Sequence, residues 1–154
     1  MPTPASTREG SRSLLRRLLP LRLALGYVYF HFGVLKLFGD LSSAELLAGH
    51  TVAVVSFGWL QVRTAIYVLG IVEMLIGLGF LLGVWRRLVL AAFSVHLVGT
   101  MLPLLLFPEL TFKVAPLAPN FAGQYILKNV VFAAAAWTVY AEDLGLAWPR
   151  RTAR

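Results

Sequence analysis

The sequence predicts an all-α fold, a four-helix transmembrane bundle, and three observations carry that expectation. The composition is 58% hydrophobic and 14% charged over 154 residues, with a mean hydropathy of +0.76, whereas soluble domains are about 45–50% apolar. Apolar stretches recur at about 20 residues, the length that crosses a hydrocarbon core as a helix. Basic residues flank them: Arg8, Arg12, Arg16, Arg17 and Arg22 before the first, Arg86 and Arg87 between the second and third, and Arg150, Arg151 and Arg154 after the last. That bias follows the positive-inside rule and predicts both termini in the cytoplasm. A net charge of +7 distributed in this way is not a phosphate-binding face, which argues against nucleic acid as a partner.

Taken in order, Met1–Ser13 is polar, carries Pro2, Pro4 and Gly10, and reads as a disordered basic cytoplasmic tail. A single membrane domain is expected over residues 14–148. Its first helix falls at about 18–38; basic residues precede it as in a signal peptide, but no A-x-A cleavage site follows. Ser42-x-x-Glu45 has capping-box spacing and Gly49 could end the turn, which predicts a short extra helix at about 43–48 in the first outer loop. The following TVAVVSFGWL is too short to span, so it should lie at the interface or fold over the bundle mouth as a lid, with Trp59 as anchor. The second helix is expected at about 61–83, with a tight inner turn at Trp85-Arg86-Arg87. The third is expected at about 87–106 with a kink at Pro103. Pro108, Pro116 and Pro119 make the stretch up to Ala122 an ordered outer loop rather than a helix. The fourth helix falls at about 123–141, and a second cytoplasmic tail at 149–154. Such a chain is a multi-pass protein of a bacterial-type inner membrane, with the lipid bilayer as its first partner.

Within the second helix, YVLGIVEMLIGLGFLL places Glu73 near the middle of the span. A carboxylate at that depth costs about 2.5–3.5 kcal/mol, so it must face the interior and find partners. Ile66, Gly70, Glu73 and Gly77 share a helical stripe on which two glycines let another helix approach. Comparable stripes are Gly26, Tyr29, Gly33, Lys36 and Asp40 on the first helix, Ala92, His96, Gly99 and Pro103 on the third, and Gln124, Lys128, Val131 and Ala135 on the fourth. At 1.5 Å per residue, Glu73 and His96 fall about 15 Å from the outer face, Lys128 and His31 about 9–12 Å, and Lys36 about 5 Å. One shared polar site is expected, with Glu73 paired to Lys128 or Lys36 and hydrogen-bonded to His96. A lone Lys–Glu pair would more often only hold the bundle in register, but four converging ionisable groups favour function.

Other candidates are weaker. His31 faces about 170° from the Lys36 stripe and should be a hydrogen-bonded helix-packing residue, while His50 should be solvated in the outer loop. A haem held between His31 and His96 would need stripes that face each other. No E-x-x-H pair or glycine-rich phosphate loop occurs, and no metal site is expected. The absence of cysteine excludes disulfides, CxxC redox chemistry and thiolate sites.

YFHFGVLKLFG, IVEMLIGLGFLLGVWRR and GQYILKNVVFAAAAW together resemble the DoxX-like membrane proteins, in the branch whose last helix begins G-Q-Y-x-L-K-N. The resemblance covers most of residues 20–140 and carries Gly33, Lys36, Glu73, Gln124, Tyr125, Lys128 and Asn129 as motif positions. It implies a four-helix bundle and a link to quinone-coupled oxidation, since the DoxX and DoxD group is associated with a thiosulfate:quinone oxidoreductase and with membrane complexes answering oxidative stress.

The first functional expectation is therefore a quinone-associated subunit of a membrane redox complex. Lys36, Tyr29, Gln124, Tyr125, Lys128 and Asn129 would hold the quinone headgroup, and Glu73 with His96 would exchange protons. Electrons would have to come from a protein partner carrying a flavin, a metal or a soluble donor. The second expectation is a non-catalytic scaffold or assembly subunit whose buried charges serve the fold, with Gly79-x-x-x-Gly83 and the alanine-rich fourth helix as surfaces for a homo-oligomer or larger complex. A carrier is a third, with little room for alternating access. A cavity lined by Glu73, His96 and Lys128 and reachable from the outer leaflet would favour a ligand site, and tight packing with direct Lys–Glu contacts would favour the scaffold.

Overall fold

The computed structural model describes residues 4–38 and 45–140, with side chains from residue 18 onward. Asp40, Ser42 of the capping box, the closing Trp148-Pro149-Arg150-Arg151 and the tail at 149–154 lie outside the described residues. The chain forms an all-α bundle. Its elements are α1 (Pro4–Leu37), α2 (Glu45–Val55), α3 (Val62–Leu82), α4 (Arg86–Met101), α5 (Pro103–Leu106), α6 (Pro108–Thr111), a two-strand hairpin of β1 (Phe112–Val114) and β2 (Ala118–Pro119), α7 (Phe121–Leu127) and α8 (Asn129–Tyr140). Among the described residues, three stretches are long and apolar enough to cross a membrane: Leu18–Leu37, Val62–Leu82 and Arg86–Leu106.

α1 is helical from Pro4, so residues 4–13, expected as a disordered tail, belong to the helix. Proline suits a first helical turn, and the leucine- and arginine-rich residues from Leu14 onward nucleate a helix that can extend outward through this stretch. α1 and α3 make the tightest pair. A Cβ at Gly33 would stand 2.6 Å from the Gly70 carbonyl oxygen, and one at Gly26 would stand 3.0 Å from that of Gly77. Only hydrogen fits there. The stripes expected on these two helices are therefore one shared backbone contact.

α2 is longer than expected, and Gly49 sits inside it rather than ending it. A Cβ at Gly49 would lie 2.8 Å from Val62 Cγ1 and 2.9 Å from Ile66 Cγ1, so the glycine seats α2 across the start of α3. The helix ends where Phe57 and Gly58 take positive φ of 54° and 79° and the Gly58 N–H bonds Ala53 at 2.8 Å. Trp59 beyond it is exposed, as an interfacial anchor would be.

α3 runs one residue inside each expected bound and ends at Gly83, left-handed at φ 69°, with its N–H on the Gly79 carbonyl. Trp85 is left-handed too, which gives the tight turn into α4. Gly79-x-x-x-Gly83 is not an outward docking face: Val89 packs onto Gly79 and the Arg22 guanidinium lies against Gly83. The third expected helix is realised as α4 and α5, broken at Leu102 because Pro103 has no N–H to donate. The stretch expected as non-helical loop contains α6 and the hairpin, in which Phe112 faces Pro119 and Val114 faces Ala118. Asn120 caps α7 by accepting the Gly123 N–H at 3.1 Å.

The expected fourth helix is two pieces, α7 and α8, with Lys128 between them. Its expected stripe does not hold: Val131 is 66% exposed, and the residues that face inward are Gly123, Ile126, Ala136, Val139 and Tyr140.

Packing is uneven along the bundle. The half nearest the α3–α4 turn is filled by Tyr29, Phe80, Phe93 and Tyr140, with Phe80 edge-on to Phe93 at 5.5 Å and 5.4 Å from Tyr140. The half beneath α2 is hollow.

Candidate functional site

The glycine that lets α1 and α3 touch also delivers the first functional side chain. Lys36 lies one turn beyond Gly33, and a Cβ at Gly70 would stand 3.0 Å from Lys36 Cβ. With only hydrogen there, the lysine stem crosses α3 and its Nζ donates to Glu73 Oε2 at 2.7 Å. His96, from α4, brings Nε2 to 3.1 Å from the other oxygen, Oε1, although the ring N–H is not aimed at it. That contact is electrostatic rather than a directed hydrogen bond. The three side chains are 6–9% exposed, so the cluster is essentially dry.

Charges removed from water in this way persist only when closely paired, because desolvation costs several kcal/mol per ion. Lys36 and Glu73 satisfy that for each other. His96 Nδ1 is buried without a protein partner among the described residues. Tyr29 packs its ring against His96 at 5.6 Å and against Phe93 at 5.1 Å.

Lys128 was one of two expected partners for Glu73, and the structure assigns that role to Lys36 alone. The Lys128 ammonium sits 3.3 Å from the centroid of the Tyr125 ring, 4.8 Å from Phe32 and 5.9 Å from Phe132. Its stabilisation is cation–π. Its backbone is helical between α7 and α8, with φ −54° and ψ −23°, which places its side chain one turn from Gln124 and beside these rings.

All four ionisable groups border one cavity of about 690 Å³ enclosed by α1, α3, α4 and α7–α8 beneath α2. That volume falls within the roughly 300–1,000 Å³ of small-molecule pockets. Apolar side chains make most of its wall; the polar positions are Lys36, Glu73, His96, Lys128, Asn129, Tyr29, Tyr125 and the hydroxyls of Thr51, Ser56 and Thr100. Leu88 and Val95 of α4 also border it and are 66% and 75% exposed, so the cavity reaches the flank of the bundle. Gly99 faces it with nothing within 4 Å of where a Cβ would be. Its smallness keeps space open rather than admitting a neighbouring helix.

The expected site residues separate accordingly. Glu73, His96, Lys36, Tyr29, Tyr125, Lys128 and Asn129 come together on the cavity, and the Asn129 side-chain amide donates to Thr100 Oγ1 at 3.2 Å. Gln124 does not: it is exposed and donates to the Pro119 carbonyl at 3.3 Å, which fastens the hairpin. His31 is exposed and stacks on Tyr27 at 5.5 Å with no hydrogen bond among the described residues, not the packing residue expected. It also points away from His96, which removes the haem geometry. His50 is exposed as expected, though on α2. Phe32, Thr100 and the α2 roof were missed. Phe32 and Thr100 each lie one helical turn from a flagged residue, Lys36 and His96, and that spacing could have found them. Nothing local in the sequence places α2 over the cavity.

Fold and site together define a helical membrane protein with an ionisable cluster on the wall of a lateral cavity. The DoxX family matches residues 17–107, more than half of the 154-residue chain, and the chain belongs to that family. The match spans the Lys36–Glu73–His96 cluster, while GQYILKN lies beyond it. No curated protein and no solved structure matches the chain.

Proposed function

We infer that this chain is the quinone-binding subunit of a membrane redox complex, with the headgroup seated in the cavity beneath α2. The observation that carries this reading is a flank-opening apolar cavity whose wall holds a buried carboxylate paired to Lys36 and faced by His96. A lipid-soluble ring would enter alongside the α4 face that carries exposed Leu88 and Val95, without leaving the bilayer. A bound quinone would act as the electron acceptor, taking up two electrons and two protons, one proton on each carbonyl oxygen. The electrons come from a partner with a flavin, a metal or a soluble donor. Tyr29, Lys128 and Asn129 offer donors at the cavity wall. Glu73 and His96 hold and pass protons, with Lys36 fixing the carboxylate. The chain spans an inner membrane of bacterial type four times, with α7 and α8 as the fourth crossing, and arginine bias keeps both termini in the cytoplasm.

A scaffold role is the second reading, and the direct 2.7 Å Lys36–Glu73 pair favours it. Exchanging both members for apolar residues, Lys36→Met with Glu73→Leu, separates the two, because removing a buried pair together is often neutral for stability. Extracts of wild type and of the double variant, purified in mild detergent, are compared by mass spectrometry and by absorbance. Wild type is expected to retain a quinone that the folded double variant lacks. Equal retention, or none in wild type, would favour the scaffold.

A further inference from the structure

Among the described residues, Lys128 is a basic group on the cavity that the proton-handling cluster does not use. Glu73 accepts Lys36 at Oε2 and faces His96 at Oε1, while the Lys128 ammonium lies against aromatic rings instead. No other acidic residue borders the cavity among the described residues. With Lys36 and Glu73 cancelling, the Lys128 ammonium remains as a positive charge that, among the described residues, rests on the faces of Tyr125 and Phe32. Ring faces attract a cation without neutralising its charge. Lys128 is half-buried among apolar side chains, and an anionic ligand beside it would offset the part of its hydration that is lost.

The shape of the recess limits that anion. Phe32, Tyr125 and Phe132 present aromatic surface around the ammonium, which suits a planar ring, and the mouth beside Val95 lets an apolar tail pass into lipid. We propose that the cavity selects a lipophilic ring carrying one ionised oxygen, a ring-hydroxylated quinone in its anionic form, and that Lys128 is the residue that selects it. This rests on the cavity being a quinone site, and it adds that a neutral quinone is the poorer ligand.

The test compares a hydroxylated alkylnaphthoquinone with its methyl ether, which has the same ring and tail but no ionisable oxygen. Both are titrated calorimetrically into the full chain in nanodiscs near neutral pH. Wild type is expected to bind the hydroxylated compound about tenfold more tightly, the usual scale of one charge-assisted hydrogen bond. Lys128→Gln should lose that preference and Lys128→Arg should keep it, with thermal unfolding of each variant showing that it folds. Equal affinity in wild type, or a preference that survives in Lys128→Gln, overturns the selection while leaving a quinone site standing. Binding of neither compound overturns both.

Discussion

Glu73 accepts Lys36 at one oxygen and faces His96 at the other, and this double engagement lets a carboxylate persist in the middle of α3. Its single replacement should be expensive. Glu73→Gln leaves the Lys36 ammonium buried without a countercharge and should cost about 3–5 kcal/mol in thermal or denaturant unfolding in detergent. The double exchange of both residues for apolar ones should recover most of that loss. Residues of this kind were legible because an ionisable group in an apolar span is rare and must face inward. The choice of Lys36 over Lys128 was not. It turns on the missing side chain at Gly70, which opens a path for the lysine stem, and on the Tyr125 and Phe32 rings against which the Lys128 ammonium lies. Helical periodicity carries neither fact.

At the scale of elements, glycine has two opposite uses in this chain. Gly33 sits 2.6 Å, as measured from an added Cβ, from the Gly70 carbonyl, so Gly33→Ala must push α1 off α3 and should cost about 1–3 kcal/mol of stability. Gly99 meets nothing within 4 Å, so Gly99→Ala should be neutral or gain up to about 1 kcal/mol through helix propensity. A thermal melt of the two variants side by side checks both signs. From sequence the two glycines look alike, each one turn from an ionisable residue on a helical stripe. The α1 and α3 stripes were legible because they match each other; the α4 stripe was read in the same way, yet it opens space. Gly49 misled for a related reason, since a glycine that seats one helix on another reads locally as a stop. The interruption at Lys128 has neither proline nor glycine to announce it.

For the whole molecule, the bundle is solid toward the α3–α4 turn and hollow beneath α2, and membrane orientation decides which side reaches the hollow half. Arginine bias predicts that the α3–α4 turn is cytoplasmic and that α2 and the hairpin are outside. The chain has no cysteine, so single replacements report cleanly. Lys113→Cys, on the exposed hairpin, should react with an impermeant maleimide in intact cells, and Arg87→Cys only after lysis. The reverse pattern would invert the orientation.

The measurement that bears most directly on the cavity as a ligand site is binding of a lipophilic quinone to wild type, Gly99→Ala and Gly99→Leu in nanodiscs. Because no atom lies within 4 Å of a Cβ at Gly99, leucine there should extend into the void and leave the fold intact, with unfolding within about 0.5 kcal/mol of the alanine variant. Wild type and Gly99→Ala should bind the quinone, and Gly99→Leu should lose it with its melting transition unchanged. Undiminished binding in Gly99→Leu, or no binding in wild type, would contradict a ligand site beneath α2.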